Sequence, residues 1–469
     1  MADLRDFASY LDAFQRETST PKSIYRRLIC RGYDTVDLAF QNGAVAHYGY
    51  SSCMVFDAVI GQKKDKIWRT KRESFRNAIT LSSANGLWER MLSGVEAGAD
   101  PRFPFDEAAT KVDFSQNLPF YDAVVADMLS PLVFHHAFES CRKVLTSHIR
   151  FDGHFSWRHG AWLPNGIPRT FGILDDKLRF FAPQTQISAT LSFFPENAPH
   201  LRRFCACASF ENTPFDFSPI VESLKAACAY PLLAFDAANV DQCFLMPSAV
   251  LTILEALVPF FSSPSNRDEP PSALTRLAAA VPPSLRVTCD PYHVAFTGKD
   301  GVPPQVLLDA RAKRVERLVL LQNGTILEMP QTDITGRAPN AAPNGHAVDE
   351  TGNRAAVFCP VLESNTPLTE VISPAEAMLP ERLSAIHPGK IACIEKLTSI
   401  CCEDGSLSFY LPNGAILCQN GECLGHMSAP KTAFTLEQLL DSATAASNPI
   451  RLGSMAVPVL NLGRLPTDS

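Results

Sequence analysis

Glu255 is the only charge between Asp241 and Arg267, and it lies in the longest nearly apolar run of the chain, Cys243 to Phe261. A lone carboxylate in such a run can serve as a general base or stay as a buried or interface acid. Its flanking positions Leu254 and Pro259 offer no lone pair to a metal ion. Further along the candidate chemistry, His135 and Glu139 stand four residues apart, a spacing that puts both on one helix face, with His136 beside them. A third ligand is missing nearby, and structural zinc takes four. A His–Glu pair on a helix is more often a surface or interface contact. Cys205 and Cys207 would point to one side of a strand, where small buried side chains are the simpler reading. His148, His154, Trp157 and His159 cluster without ligand spacing. Asp290 and Asp300 suit Asx turns, in which a carboxylate holds its own loop through backbone hydrogen bonds.

The elements that must position these groups follow from pattern. Leu4, Phe7, Leu11 and Phe14 recur at helical spacing. Val36–Phe40 alternates, Asn42-Gly43 signals a hairpin, Ala44–Tyr50 returns, and Ser52–Ile60 reads as a further strand. A helix is expected over Arg72–Leu92, and another over Tyr121–Ile149. Strands are expected at His154–Trp157, Thr170–Ile173, Leu178–Phe181, Gln186–Phe194 and Leu201–Phe210, then a helix at Phe217–Tyr230. Beyond a boundary near Pro231, Leu232–Leu245 enters a helix over residues 248–259. Pro247 suits its first position and the Ser248 hydroxyl its cap. Leu318–Leu327 is a hairpin around Asn323-Gly324. Ile391 to Met427 holds five strands separated by Asp404-Gly405, Asn413-Gly414 and Asn420-Gly421, the pattern of a meander. Thr435–Ala445 reads as a helix and Val457–Leu462 as a last strand.

A chain of 469 residues with 46% hydrophobic and 19% charged residues is globular and long enough for two domains. The net charge of -7 lacks the basic footprint of nucleic-acid binding. Lys63 to Arg72 is a local basic run, read as a solvated hairpin and helix start. No basic segment followed by an apolar core marks an export signal. Pro247, Ser248, Thr252, Glu255 and Pro259 make Cys243–Phe261 a core helix rather than a membrane span. The 14 cysteines show no paired framework, so reduced thiols in the cytoplasm are expected.

The stretch Leu245-Met246-Pro247-Ser248 leading into Leu254-Glu255-Ala256-Leu257-Val258-Pro259 resembles the TldD/PmbA (modulator of DNA gyrase) family. In active TldD-type members a strand, a Pro and a helix lead into His-Glu-x-x-x-His, whose imidazoles hold zinc while Glu acts as general base. Here the Glu stays, and both His positions are filled by Leu254 and Pro259. Other passages carry the resemblance: Leu285 to Pro291; Gly298-Lys299-Asp300-Gly301-Val302-Pro303; the Asn323-Gly324 hairpin; Asp333 to His346; and Gly405 to Phe409 followed by Gly414 and Asn420-Gly421-Glu422. Cys289 stands where an acid is common. Active members take a third ligand, a Cys, from the C-terminal region that holds Cys401 and Cys402.

The resemblance implies an α+β fold of two domains: an N-terminal α/β domain over 1–230, with strands ending in a loop and a helix near Ser74, and a strand-rich antiparallel domain over 231–469. It implies a PmbA/TldE-like chain that binds no cofactor itself and pairs with a TldD-like subunit that holds the zinc. Its substrate would be a peptide, trimmed during maturation or degraded when unfolded; neither nucleic acid nor membrane is expected. Glu255 would be a relic base, and the loops of Asp300, Gly301, Asn323 and Gly324 would face substrate or partner. Two other readings remain: a hydrolase with a site relocated to His135, His136, Glu139 or the C-terminal cysteines, and a regulatory binding protein.

Overall fold

In the computed structural model the described residues are 24–41, 44–64, 67–76, 90–95, 149–160, 170–175, 179–181, 185–196, 203–209, 225, 231–234, 239–262, 272–297, 315–328, 359–368, 379–401, 406–428, 430 and 433–464. One sheet takes all its strands from the first half of the chain: β1 (Ile24–Gln41), β2 (Ala44–Lys64), β3 (Ile67–Arg76), β4 (Ile149–Gly160), β5 (Thr170–Asp175), β6 (Arg179–Phe181), β7 (Thr185–Pro195) and β8 (Arg203–Ser209). Its order is β3-β2-β1-β4-β7-β8, with β5 on β1 and β6 on β5. The strands expected between His154 and Phe210 all lie in β4 to β8.

Two expectations for this sheet fail. Ser52–Ile60 is not a separate strand but part of β2, which runs unbroken for 21 residues. Arg72–Leu92 is not one helix: Arg72 to Arg76, Ser74 included, belong to β3, and among the described residues of this stretch helix is found from residue 90. The ladder from Val55↔Arg76 to Lys64↔Ile67 supplies partners for β3 that a local periodicity cannot reveal. The charges then pair around the strand: Glu73 accepts from Lys71 at 3.2 Å and from Arg90 at 3.0 Å. The basic run therefore sits on a hairpin, as expected, but it starts no helix.

The remaining elements are β9 (Leu232–Leu233), β10 (Gln242–Leu245), α1 (Pro247–Ser262), α2 (Ser272–Ala280), β11 (Leu285–Cys289), α3 (Val294–Thr297), β12 (Leu318–Gln322), β13 (Thr325–Ile326), β14 (Pro360–Ser364), α4 (Pro380–Ile386), β15 (Lys390–Ile394), β16 (Thr398–Cys401), β17 (Leu407–Tyr410), β18 (Ala415–Gln419), β19 (Glu422–Met427), β20 (Phe434–Thr435), α5 (Leu436–Leu440), β21 (Thr444–Ala445), β22 (Ile450–Leu452), β23 (Met455–Val457) and β24 (Leu460–Gly463). They form three sheets, ordered β21-β24-β10-β15-β18-β19-β9, β13-β12-β11-β14-β23-β22 and β16-β17-β20. Most pairings are antiparallel, but β10–β15, β14–β23 and β19–β9 are parallel. The expected meander is interrupted: β15, β18 and β19 are neighbours, while β16 and β17 leave to pair with each other and β20. The helix expected over Thr435–Ala445 ends at Leu440, with Thr435 as a capping-box residue and Ala445 already in β21. The last expected strand is two strands in different sheets, because Pro458 has no N–H for a ladder and the chain crosses over there.

All three sheets share one core around α1. Leu245, Ile394 and Leu417 reach it from one sheet, Leu285, Val287 and Leu320 from the second, and Phe409 and Phe434 from the third. Burial of such side chains contributes about 1.5–3 kcal/mol each. The turns obey their residues: Asn323 and Gly324 have φ of 52° and 67°, and Asn420 and Gly421 have 52° and 86°, as a type I′ hairpin demands. Among the described residues no helix is long and apolar enough to cross a membrane.

Gly389 joins α4 to β15 at φ +94°, and a Cβ there would lie 2.6 Å from Asp241 Oδ2. That oxygen accepts the Lys390 N–H at 2.7 Å. Gly389→Ala is therefore expected to cost about 2 kcal/mol, read as a lowered urea midpoint. An unchanged midpoint would refute the close approach.

Candidate functional site

β10 delivers the chain to α1 at the centre of the core. Met246 caps the entry: its N–H donates to Ile394 O at 2.9 Å, and its carbonyl accepts from Ala249 and Val250. Pro247 takes the first helical position, as expected, where its missing N–H costs nothing. The cap is Met246, one position before Pro247, rather than Ser248; Thr252 Oγ1 donates to the Ser248 carbonyl at 3.3 Å. The helix continues to Ser262, so Pro259 lies inside it. There it lacks the N–H that would have bonded the Glu255 carbonyl one turn back.

Ala249, Val250, Ile253, Leu254, Leu257, Val258 and Phe261 form the buried side of α1, and Leu254 is 0% exposed. Glu255 and Pro259 are exposed. Positions five apart on a regular helix are separated by about 140°, so Leu254 and Pro259 face different surroundings. The donor set of α1 is thus one carboxylate, with no imidazole or thiolate, and it does not fit a zinc ion. Among the described residues no three His, Cys, Asp or Glu side chains converge as a metal would require. Glu255 has a solvent-exposed surface, yet the apolar mass packed around α1 raises its carboxyl above the ordinary value by desolvation. Among the described residues no cation pairs with it. Glu255→Gln is expected to leave thermal stability within about 0.5 kcal/mol of the original. A loss above about 2 kcal/mol in a thermal unfolding scan would show a partner for the carboxylate.

Other expected site residues distribute as follows. Asn323 and Gly324 form the turn between β12 and β13. Asn323 Oδ1 accepts from Asn365 Nδ2 at 3.0 Å, which ties the turn to the end of β14. Asp290 makes the expected Asx turn, accepting the Tyr292 N–H at 3.0 Å. Cys401 is exposed at the end of β16, a strand that packs against α1. Cys205 and Cys207 lie in β8, opposite Leu191 and Ala189. His135, His136, Glu139, Asp300, Gly301 and Cys402, with the expected helices at Leu4–Phe14, Tyr121–Ile149 and nearly all of Phe217–Tyr230, fall outside the described residues.

Two charged centres escaped the sequence reading. At the first, Arg286 of β11 and Glu363 of β14 are register partners. Glu363 Oε1 accepts from Arg286 Nε at 2.9 Å, from Arg317 Nη2 at 3.1 Å and from Thr288 Oγ1 at 3.4 Å. His293 Nε2 lies 3.4 Å from Glu363 Oε2, and its Nδ1 accepts the Ala295 N–H at 3.1 Å. Arg317 Nε also reaches Asp290 Oδ2 at 3.6 Å. Burial pushes the Glu363 carboxyl up, but hydrogen bonds and charge from His293 and Arg286 outweigh it and hold the group at about 2. Two guanidinium groups face two carboxylates, and both oxygens of Glu363 are engaged. The centre therefore ties β11, β14 and the start of α3 together and holds no free base.

The second centre joins the first sheet to the rest. Arg203 of β8, 3% exposed, donates from Nε to Glu395 Oε1 at 2.9 Å and from Nη1 to Glu381 Oε1 of α4 at 3.3 Å. The Phe204 N–H donates to the other Glu395 oxygen at 3.1 Å, and Lys396 Nζ sits 4.7 Å from the Phe204 ring centre. Burial opposes the Arg203 charge, yet the two carboxylates raise its pKa; desolvation raises that of Glu395 despite the guanidinium. The legible signal was a charge in an apolar strand run: Arg286 in Leu285–Cys289, Glu363 in Pro360–Ser364.

No family model and no curated protein matches the sequence. Solved structures do match the fold. TldE from Thermococcus kodakarensis has a TM-score of 0.59 at 13% identity, over 98% of this chain and 99% of that one. A candidate modulator of a DNA gyrase from Thermotoga maritima has the same TM-score, identity and coverage. Another, from Bacteroides thetaiotaomicron, has a TM-score of 0.57 at 11% identity, over 99% of both chains. The mixed, strand-rich fold of the chain is therefore of the type that the sequence resemblance implied.

Proposed function

We propose that this chain is a TldE/PmbA-type subunit that lacks its own zinc site and pairs with a TldD-type subunit to hydrolyse peptides in the cytoplasm. The observation that carries the reading is the pairing of a fold likeness over 98% of the chain with an α1 that presents Leu254 and Pro259 where that resemblance places imidazoles. The strands support two units, 1–230 and 231–469: among the described residues one sheet uses nothing beyond Ser209, and the other three use nothing before Leu232.

The peptide would be held as an added strand. Among the described residues Ala44–Met54 of β2 pairs only with β1, because β3 covers only Val55–Lys64. That edge carries no Lys, Arg, Asp or Glu from Ala44 to Phe56. Sheet edges are ordinarily guarded by such charges, and an unguarded edge suits an extended peptide.

Co-expression with a TldD-type subunit, followed by native mass spectrometry and zinc analysis, tests the proposal. A one-to-one complex is expected, with zinc and peptidase activity that follow the partner's His-Glu-x-x-x-His motif. Stoichiometric zinc on this chain alone, with peptidase activity lost in His135→Ala, would overturn it.

A further inference from the structure

Fourteen cysteines in one chain raise the question of which thiols are placed to react with each other. None of the seven cysteines whose state the structure describes, Cys243, Cys289, Cys359, Cys393, Cys401, Cys418 and Cys423, is in a disulfide. Cys243 and Cys393 lie on neighbouring strands, but each faces another residue, Ala392 and Phe244. Cys418 and Cys423 differ, because they are register partners across the β18–β19 hairpin, one pair in from the two-residue turn Asn420-Gly421.

We propose that Cys418 and Cys423 are a reversible oxidation site, a cross-strand dithiol that closes to a disulfide on reaction with a small-molecule disulfide. This inference is independent of the partner-subunit reading. In a two-residue hairpin the pair next to the turn, here Gln419 and Glu422, exchanges both backbone hydrogen bonds. The next pair exchanges none, and its Cα atoms approach to about 4.5 Å. A disulfide spans Cα separations of about 4.4–6.8 Å. Register partners share a sheet face, so both thiols lean the same way and perturb each other, and Cys423 Sγ also donates to the Gly425 carbonyl at 3.9 Å.

The two thiols are unequal. The interaction with Cys423, then burial, pushes the Cys418 thiol up. That same interaction lowers the Cys423 thiol against the opposing effect of burial. Cys418 is 0% exposed and Cys423 6%. Beside Cys423 the sheet edge is bare among the described residues, because β9 pairs only with His426 and Met427. Cys423 is therefore the attacking sulfur. Its thiolate attacks one sulfur of the small disulfide RSSR; the mixed disulfide forms and RS⁻ leaves, taking up the proton that Cys423 released. The Cys418 sulfur then attacks Cys423 and gives its proton to the second departing RS⁻. The protein loses two electrons and two hydrogens, and RSSR becomes two RSH.

The tip of this hairpin is held by α4, where the Gly421 N–H donates to Ser384 Oγ at 2.9 Å. α4 also carries Glu381, a partner of Arg203. Closing the disulfide thus adds a covalent tie beside the contact between the first sheet and the seven-stranded one.

The test treats the full chain with oxidised glutathione, quenches in acid, unfolds, and alkylates the remaining thiols. Peptide mapping is expected to show loss of two alkylatable thiols, a Cys418–Cys423 link, and its removal by dithiothreitol. In Cys418→Ser the reaction is expected to stop with one glutathionyl group on Cys423. In Cys423→Ser, Cys418 is expected to stay unmodified. Exposed Cys401 reports that the reagent was active. Recovery of Cys418 and Cys423 as free thiols while Cys401 has reacted overturns the proposal, as does a link from either to any other cysteine. The wild-type map decides this even if a variant fails to fold.

Discussion

Arg203→Met is expected to lower the stability of the folded chain by about 3–5 kcal/mol, the cost of leaving one member of a buried ion pair alone. Methionine fills much of the volume, so packing contributes little to the loss. What remains is Glu395, 9% exposed, which has given up water and lost the guanidinium that compensated it. A carboxyl so placed takes up a proton more readily, so the deficit should shrink as pH falls. Arg203→Met combined with Glu395→Gln should recover part of the loss, because an amide can still accept the Phe204 N–H and carries no charge to strand. Urea unfolding followed by fluorescence is the measurement. A loss below about 1 kcal/mol would mean that the contact between the first sheet and the end of β15 does not depend on this pair.

The second large effect is on the response to acid. Glu363 is held at about 2, against an ordinary 4.5. Its folded-state pKa is depressed, so the stabilisation is fully present above about pH 4.5 and is lost as pH falls towards 2. The gap corresponds to about 3 kcal/mol. Arg317 is 44% exposed, so its share weakens with salt; Arg286 and His293 supply the better shielded part. Glu363→Gln should therefore lose about 2–3 kcal/mol at neutral pH and show a flatter stability curve between pH 4.5 and 2. Parallel curves for the two proteins across that window would refute the assignment.

Neither centre could be placed from the order of residues, although a charge within an apolar strand marked some of their members. Arg203 and Glu395 are 192 positions apart, Arg286 and Glu363 are 77 apart, and no periodicity links residues at such distances. The same reason explains β3. Lys71, Arg72 and Glu73 suit an exposed helix as well as a strand, and only the ladder offered by β2 decides between them. Pro458 is visible as a strand breaker, but not that the chain changes sheets there. The relation between Leu254 and Glu255 was half legible. Their neighbourhood in an apolar helix follows from composition, whereas their division between core and surface depends on which sheets pack on which side.

What the order of residues settled unaided is local. Asn-Gly pairs turn hairpins because those residues tolerate φ near +52° to +86°. Pro247 starts α1 because the first turn needs no N–H there. Asp290 folds back on Tyr292 N–H because its short side chain places a carboxylate oxygen within reach of that donor. The missing donors at Leu254 and Pro259 are equally a property of side-chain chemistry, whatever the packing. Tertiary structure alone decided which distant charges meet, which strands pair, and that Cys418 and Cys423 stand opposite each other. Those outcomes depend on register and burial, which exist only once sheets have assembled and water has been expelled between them.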